Sequence, residues 1–282
     1  MDPATIVKLL IIGGIVLNVI SIGVRAQPRD ALYMLHHPDQ AGRALLAMFV
    51  LVPAFVLLLA YVLELSRPVA ALLLALSVAP MPPLLSKKEV EAGGGNDYAI
   101  GLQVLATLVS LIAVPLMLFI ASRVFGRSLV LDIGSVAKVL AITVAAPLAI
   151  GMALGTMFPA ARAPVGTWAS RIGWIALGIG ALVLVAARWP DIVGQLGGGT
   201  LLLTVVVVGF ALFAGHRLGG PDSGNRRALA ITCAARHPGV GITIAAGLFP
   251  AESAAIQGVA ALFWLTSFGM AIPYLKWGRK RA

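Results

Sequence analysis

Leu229-Ala-Ile-Thr232-Cys233-Ala-Ala-Arg236-His237-Pro238-Gly239-Val240-Gly241 sets the reading of this chain. Apolar sequence on both sides has membrane-spanning character, and an Arg-His-Pro-Gly break stands in its middle. Proline has no amide hydrogen and its ring clashes with the preceding turn, so a helix cannot run straight through Pro238. A charge in a bilayer core costs about 2.5 to 3.5 kcal/mol per residue on insertion scales, so a retained arginine implies a role. A broken helix at that depth persists only where its freed backbone groups face protein or a watery cavity.

A matching interruption lies in the first half of the chain. Apolar sequence from Val69 meets Pro80, Pro82 and Pro83. Charge follows in Ser86-Lys87-Lys88-Glu89-Val90-Glu91, then Gly93-Gly94-Gly95-Asn96-Asp97. The pattern predicts a first half-helix ended by the prolines and a second that restarts near Ser86 as cap and stops at the glycines. Paired, interrupted hydrophobic segments in two halves point to the substrate site of a secondary transporter.

Composition agrees with this class. Of 282 residues, 60% are hydrophobic and only 11% charged, against roughly 25% charged in soluble domains. Mean hydropathy is +0.98. Residues 98–122, 192–215 and 253–275 carry no Asp, Glu, Lys or Arg, and each exceeds the roughly 20 residues a helix needs to cross. The runs lack period-two alternation, which argues against an outer-membrane barrel. The net charge of +10 fits basic loops facing anionic lipid headgroups, with no nucleic acid partner required. The single Cys233 leaves no intramolecular disulfide and no multi-cysteine metal site. The first apolar stretch reads as a retained span, not a cleaved signal.

Nine hydrophobic units follow from the pattern, at about 4–24, 41–64, 69–95, 97–121, 131–157, 166–187, 197–217, 225–248 and 251–275. The fold class is therefore an all-α polytopic membrane protein. With the N-terminus outside, the inner loops hold Arg25, Arg29, Arg43, Arg162, Arg217, Arg226, Arg227, Lys276, Arg279, Lys280 and Arg281. The outer side holds Lys8, Arg67, Arg123, Arg127 and Arg188. The excess of inner cations predicts N-terminus out and C-terminus cytoplasmic. Short loops and much Ala, Gly and Val suggest a bacterial inner membrane. Glycines at 151 and 155, and at 215 and 219, have the four-residue spacing of close helix packing, within one chain or between two.

At these residues the chain resembles the bile acid:sodium symporter family, bacterial branch. Leu229 to Gly241 is similar to that family's second broken helix. Arg25-x-x-Pro28-x-Asp30 with His36-His37-Pro38 is similar to its Pro-x-Asp…His-Pro loop, which precedes a helix with a central proline, here Pro53. Ala79-Pro80 through Pro115 resembles its first broken helix and the helix after it. The resemblance implies inverted repeats, two crossing broken helices and two domains that move against each other. One is a panel (1–64 and 131–187), the other a core (69–121 and 197–275). It also implies a chain that lacks the family's first helix and acts as a single transport unit over residues 1–282.

The departures bear on the coupling ion. Where sodium-coupled relatives place a Glu and a Gln that help hold sodium, this chain has Thr232 and Arg236, and the crossover Asn is His237. A guanidinium has five donors, no acceptor and a permanent charge. The expectation is that Arg236 takes the place of Na+ and that the usual site is lost. If Na+ binds, its ligands are Thr232, Glu89 and Glu91.

Candidate binding residues are thus Arg236, His237, Thr232, Ser86, Lys87, Glu89 and Asn96. Each has a structural reading beside the functional one. Arg236 would pair with a carboxylate or carbonyls. His237, the residue type that titrates near neutral pH, would carry a proton or only hold a hydrogen bond. Lys87 and Glu91 stand at i,i+4, as in a solvated half-helix with internal pairs. Asn96 and Asp97 suit a helix cap. Lys138, alone in its span, reads as snorkelling.

The expected function is secondary transport of a small organic anion by alternating access. A sodium-coupled symporter and a non-transporting receptor or scaffold are the alternatives. No His-Glu-x-x-His, Gly-x-Ser-x-Gly or paired intramembrane aspartate points to an enzyme.

Overall fold

The computed structural model describes residues 3–26, 32–80, 96–124, 134, 138, 141–187, 189–196 and 199–279. Among these there is no strand. Thirteen helices follow in order: α1 Pro3–Arg25, α2 Tyr33–His36, α3 Pro38–Leu45, α4 Val52–Val62, α5 Arg67–Val78, α6 Asn96–Val124, α7 Ala146–Met157, α8 Arg162–Ala187, α9 Trp189–Leu196, α10 Thr200–Leu218, α11 Ser223–Ala234, α12 Pro238–Leu248 and α13 Ser253–Arg279. Leu46–Leu51 and Ala141–Ala145 are π turns that feed α4 and α7.

Six described stretches are long and apolar enough to cross a membrane: Thr5–Arg25, Pro38–Val62, Asp97–Met117, Pro159–Ala187, Thr200–Leu218 and Pro250–Lys276. Arg67–Val78 and Ala141–Met157 are apolar but shorter. Large side chains such as Ile112, Leu182 and Leu202 are exposed, as expected where lipid is the solvent. The molecule is a multi-pass membrane protein.

Sequence explains the ends of these elements. Pro38, Pro68 and Pro238 each sit in the first turn of a helix, where the missing amide hydrogen has no partner to lose; Pro53 instead follows the π turn inside a continuous helical stretch. Asp222 caps α11 by accepting from the Asn225 amide at 2.7 Å. The expected second break is observed: α11 ends at Ala234, Ala235 and His237 are extended, and α12 restarts at Pro238. The first break is at Ala79, whose backbone is extended. The restart expected at Ser86, with Lys87, Glu89, Glu91 and the Gly93–Gly95 run, lies outside the described residues.

Two packed groups emerge. Helix α1 lies between α7 and α8, with Ile15, Val19, Ile22 and Leu148 in a small cluster of their own. The larger cluster joins α4, α5, α6, α10, α11, α12 and α13, with Leu72, Leu102, Val208, Leu229 and Phe263 at its centre. Residues 38–62 pack chiefly on α5 and α10.

The glycine spacings are used inside the chain. A Cβ at Gly151 or Gly155 would meet the carbonyl oxygens of Ile20 and Val24 on α1. Gly215 and Gly219 likewise face the backbone of α11. Such close approach supplies van der Waals packing where lipid leaves little hydrophobic drive.

Candidate functional site

A broken helix leaves carbonyls without donors, and every buried one needs a partner. Around the breaks several of these groups are met. The Ala235 amide donates to Ile231. Ser267 Oγ lies 3.0 Å from the carbonyl of Ala234 and 2.8 Å from that of Phe263, and its one hydrogen is shared between them. The His237 amide donates to Pro80 at 3.0 Å and so links the two breaks.

Arg236 satisfies three more. Its Nε donates to Cys233 at 3.2 Å, Nη1 to Ala79 at 3.1 Å and Nη2 to Met48 at 3.2 Å. The side chain is 1% exposed and lies over the Phe49 ring at 5.8 Å. Among the described residues its hydrogen-bond partners are carbonyls, two of them at the C-terminal ends of α5 and α11, where helix dipoles concentrate negative charge. The third is set up by Pro53. In a π register residue 53 would donate to residue 48, but proline has no hydrogen to give. Arg236 supplies that hydrogen.

Thr232 is fully buried and donates to Ala228 at 2.9 Å. Asn96 opens α6. Among the described residues no cluster of His, Cys, Asp and Glu forms a metal site.

His237 is different from its neighbour. It is 4% exposed, and neither ring nitrogen has a hydrogen-bond partner. The ring lines a cavity of about 140 Å³ between α1 and α8 on one side and α12 and α13 on the other. Trp174, from α8, lines the same cavity and its buried Nε1 is also unpartnered. A second cavity, about 290 Å³, lies on the other side of Ile11 and is walled by Lys138, Thr143, Gly239 and Thr243. The two share Ile11 and Gly239. The crossover thus has two faces: a cation buried among helix C-termini, and cavities at the N-terminus of α12.

Arg236 and His237, singled out from sequence, both lie at the break between α11 and α12. Trp174 was not singled out, although an indole N–H near the middle of a span is itself an unmet donor. Lys138, expected to snorkel, is exposed on the wall of the larger cavity.

Residues 12–210 match the model of the sodium bile acid symporter family. The match covers well over half of the chain, so the chain belongs to this family of membrane transporters. It stops before α11 and α12, so the Arg-His-Pro-Gly break falls beyond the matched stretch. No curated protein matches the chain.

Proposed function

We propose that the chain is a secondary transporter that moves a small organic anion by alternating access without sodium. Helices α1, α7 and α8 form one body and the remaining helices the other. The substrate binds between them, at the crossover of two broken helices related by an inverted repeat. The proposed setting is a bacterial inner membrane, with the N-terminus outside and the C-terminus cytoplasmic.

The observation that carries this reading is the Arg236 guanidinium. A sodium ion needs oxygens free of donors, and the carbonyls of Ala79, Met48 and Cys233 are already taken by a fixed positive charge. Thr232 offers a single neutral hydroxyl oxygen, where a sodium ion needs several oxygens and is helped by an anionic one. The arginine therefore does for the helix ends what a bound cation would do, and it does so permanently. Lys138 on the larger cavity gives an approaching anion a second cation.

A sodium symporter is the second reading, favoured by the family match. It would need oxygens from elsewhere, Glu89 and Glu91 among them. Flux of organic anions into proteoliposomes, in sodium or in choline, separates the two. Equal uptake in both supports the proposal. A steep requirement for sodium overturns it, and absence of all flux favours a receptor or scaffold.

A further inference from the structure

Helices α10 and α13 run side by side in the same direction. Thr204 meets Thr266 at 3.1 Å and, farther along both helices, His216 Nδ1 meets the Tyr274 hydroxyl at 2.6 Å. Helix α11 turns back along α10, since Gly215 faces Ala230 and Gly219 faces Arg226. The C-terminal ends of α10 and α13 and the first turns of α11 therefore share one face of the membrane. Arg217, Arg226, Arg227 and Lys276 stand at that face, and the three arginines lie close enough to His216 to act on its ring electrostatically. Arg43 joins them from α3: a Cβ at Gly220 would come within 3.2 Å of its Nη1.

The turn between α10 and α11 holds one of these cations in place. The Gly220 carbonyl accepts from Arg226 Nε at 2.7 Å, and that of Pro221 from Arg226 Nη2 at 2.7 Å. The guanidinium is thus oriented by the backbone of the turn, and these bonds use two of its five donors. In α3, α10, α11, α13 and this turn the carboxylates are Asp39, which pairs with Arg43, and Asp222, which caps α11. The face keeps an excess of positive charge, and such an excess repels itself unless an anion joins it.

The residues one turn deeper indicate where the anion comes from. Arg217 lies over the Phe213 ring at 5.2 Å, and Phe213 is 55% exposed within the α10 span. On α13 the exposed Ile272 and Lys276 repeat the same four-residue spacing. Each helix carries an apolar side chain facing the bilayer with a cation above it. A phospholipid presents its chain and its phosphate in that order. A free phosphate would meet the cations and leave the apolar side chains unused.

We propose that this face binds an anionic phospholipid, with the headgroup phosphate held by Arg217, Arg226 and Lys276 and an acyl chain along Phe213 and Ile272. Arginine suits the phosphate because its planar fork matches the oxygens in pairs. The bound lipid clasps α10, α11 and α13 at their common end. The site is separate from the crossover and its cavities, and it rests on the chain's place in a membrane and not on what the chain carries.

The test titrates the purified full-length chain in detergent with phosphatidylglycerol, with phosphatidylcholine of the same acyl chains and with inorganic phosphate, and reads bound lipid by native mass spectrometry. Expected is phosphatidylglycerol bound about tenfold or more tightly than phosphatidylcholine. Each cation near a headgroup contributes about fivefold in affinity. Arg217 and Lys276 are exposed, so Arg217→Gln and Lys276→Gln are each expected to melt like the parent chain in phosphatidylcholine and to lose about fivefold for phosphatidylglycerol. The double variant should lose about 25-fold. Arg67→Gln, an exposed position at the far end of the 38–62 span from Arg43, should leave phosphatidylglycerol binding unchanged. Equal binding of the two lipids overturns the proposal, as does full phosphatidylglycerol binding in the two single variants. An equal loss in Arg67→Gln would show an effect of total charge and overturn the site. Displacement of phosphatidylglycerol by inorganic phosphate at matching concentration would assign the cations to a free anion instead.

Discussion

The backbone amide of His237 donates to the carbonyl of Pro80 at 3.0 Å, and the next residue back, Arg236, donates to the carbonyl of Ala79 at 3.1 Å. Two breaks 157 residues apart in sequence are thereby tied by adjacent residues. One tie is a main-chain bond that any residue but proline could make. The other needs a long cationic side chain. This division separates a tie made by the main chain from one that depends on the side chain.

Arg236→Gln tests the side-chain tie. The substitution removes the charge and two of the three described donors, and leaves carbonyls free in a buried site. Each unsatisfied group costs about 1–3 kcal/mol, partly offset because a guanidinium no longer has to be desolvated. A monovalent cation then has oxygens to bind. The wild-type chain is expected to melt at the same temperature in sodium and choline chloride. The variant is expected to melt lower in choline and to recover several degrees in sodium. Sodium stabilisation of the wild type, measured in detergent by thermal shift, would sink the fixed-cation argument.

Gly151→Val tests the use of the glycine spacing. Its side chain would press on the Ile20 carbonyl across the α1–α7 contact, and backbone cannot step aside as a side chain can. Overpacking of this kind costs about 1–3 kcal/mol. The expected outcome is a clear drop in melting temperature with no change in oligomeric state by light scattering. A change in oligomeric state at unchanged stability would place this face between two chains instead.

Much of the fold was open to reading because its causes are local. Pro238 and Pro80 remove donors, so both breaks follow from the neighbouring residues alone. The length of uncharged runs likewise fixes where a chain can cross. Other features have distant causes. The π turn at Leu46–Leu51 leaves the Met48 carbonyl to a guanidinium 188 residues away, and nothing near residue 48 announces that partner. The spacing of Gly151 and Gly155 says that a helix comes close but not which helix. Trp174 was hidden by a sound expectation, since tryptophans in membrane proteins gather at interfaces; its place in the middle of α8 carried the signal.

Tyr274→Phe measures a tie between α10 and α13. The Tyr274 hydroxyl and His216 Nδ1 lie 2.6 Å apart, and the rings meet edge to face. The hydroxyl donates to the neutral imidazole or accepts from it, and either way a single bond is lost with the ring retained. The expected loss is about 1 kcal/mol, read as a lower midpoint in denaturant titration with uptake preserved. Loss of uptake at unchanged stability would give this pair a part in transport.

The proposed orientation has a test that the chain makes simple. Cys233 is its single cysteine and is 1% exposed, so an impermeant maleimide should leave the unmodified chain alone. Ser66 and Ser223 are both exposed, in the turns before α5 and at the start of α11. The distribution of Lys and Arg places the first turn outside and the second, beside Arg217, Arg226 and Arg227, on the cytoplasmic face. Ser66→Cys is therefore expected to label in intact cells, and Ser223→Cys only after the membrane is opened. Labelling of both from outside would mean that the number of crossings between them is even, and the nine-unit arrangement would fail with the orientation. The reverse pattern would keep the crossings and turn the molecule over, leaving the α12 N-terminus and its cavities in place but exchanging the side from which each is reached.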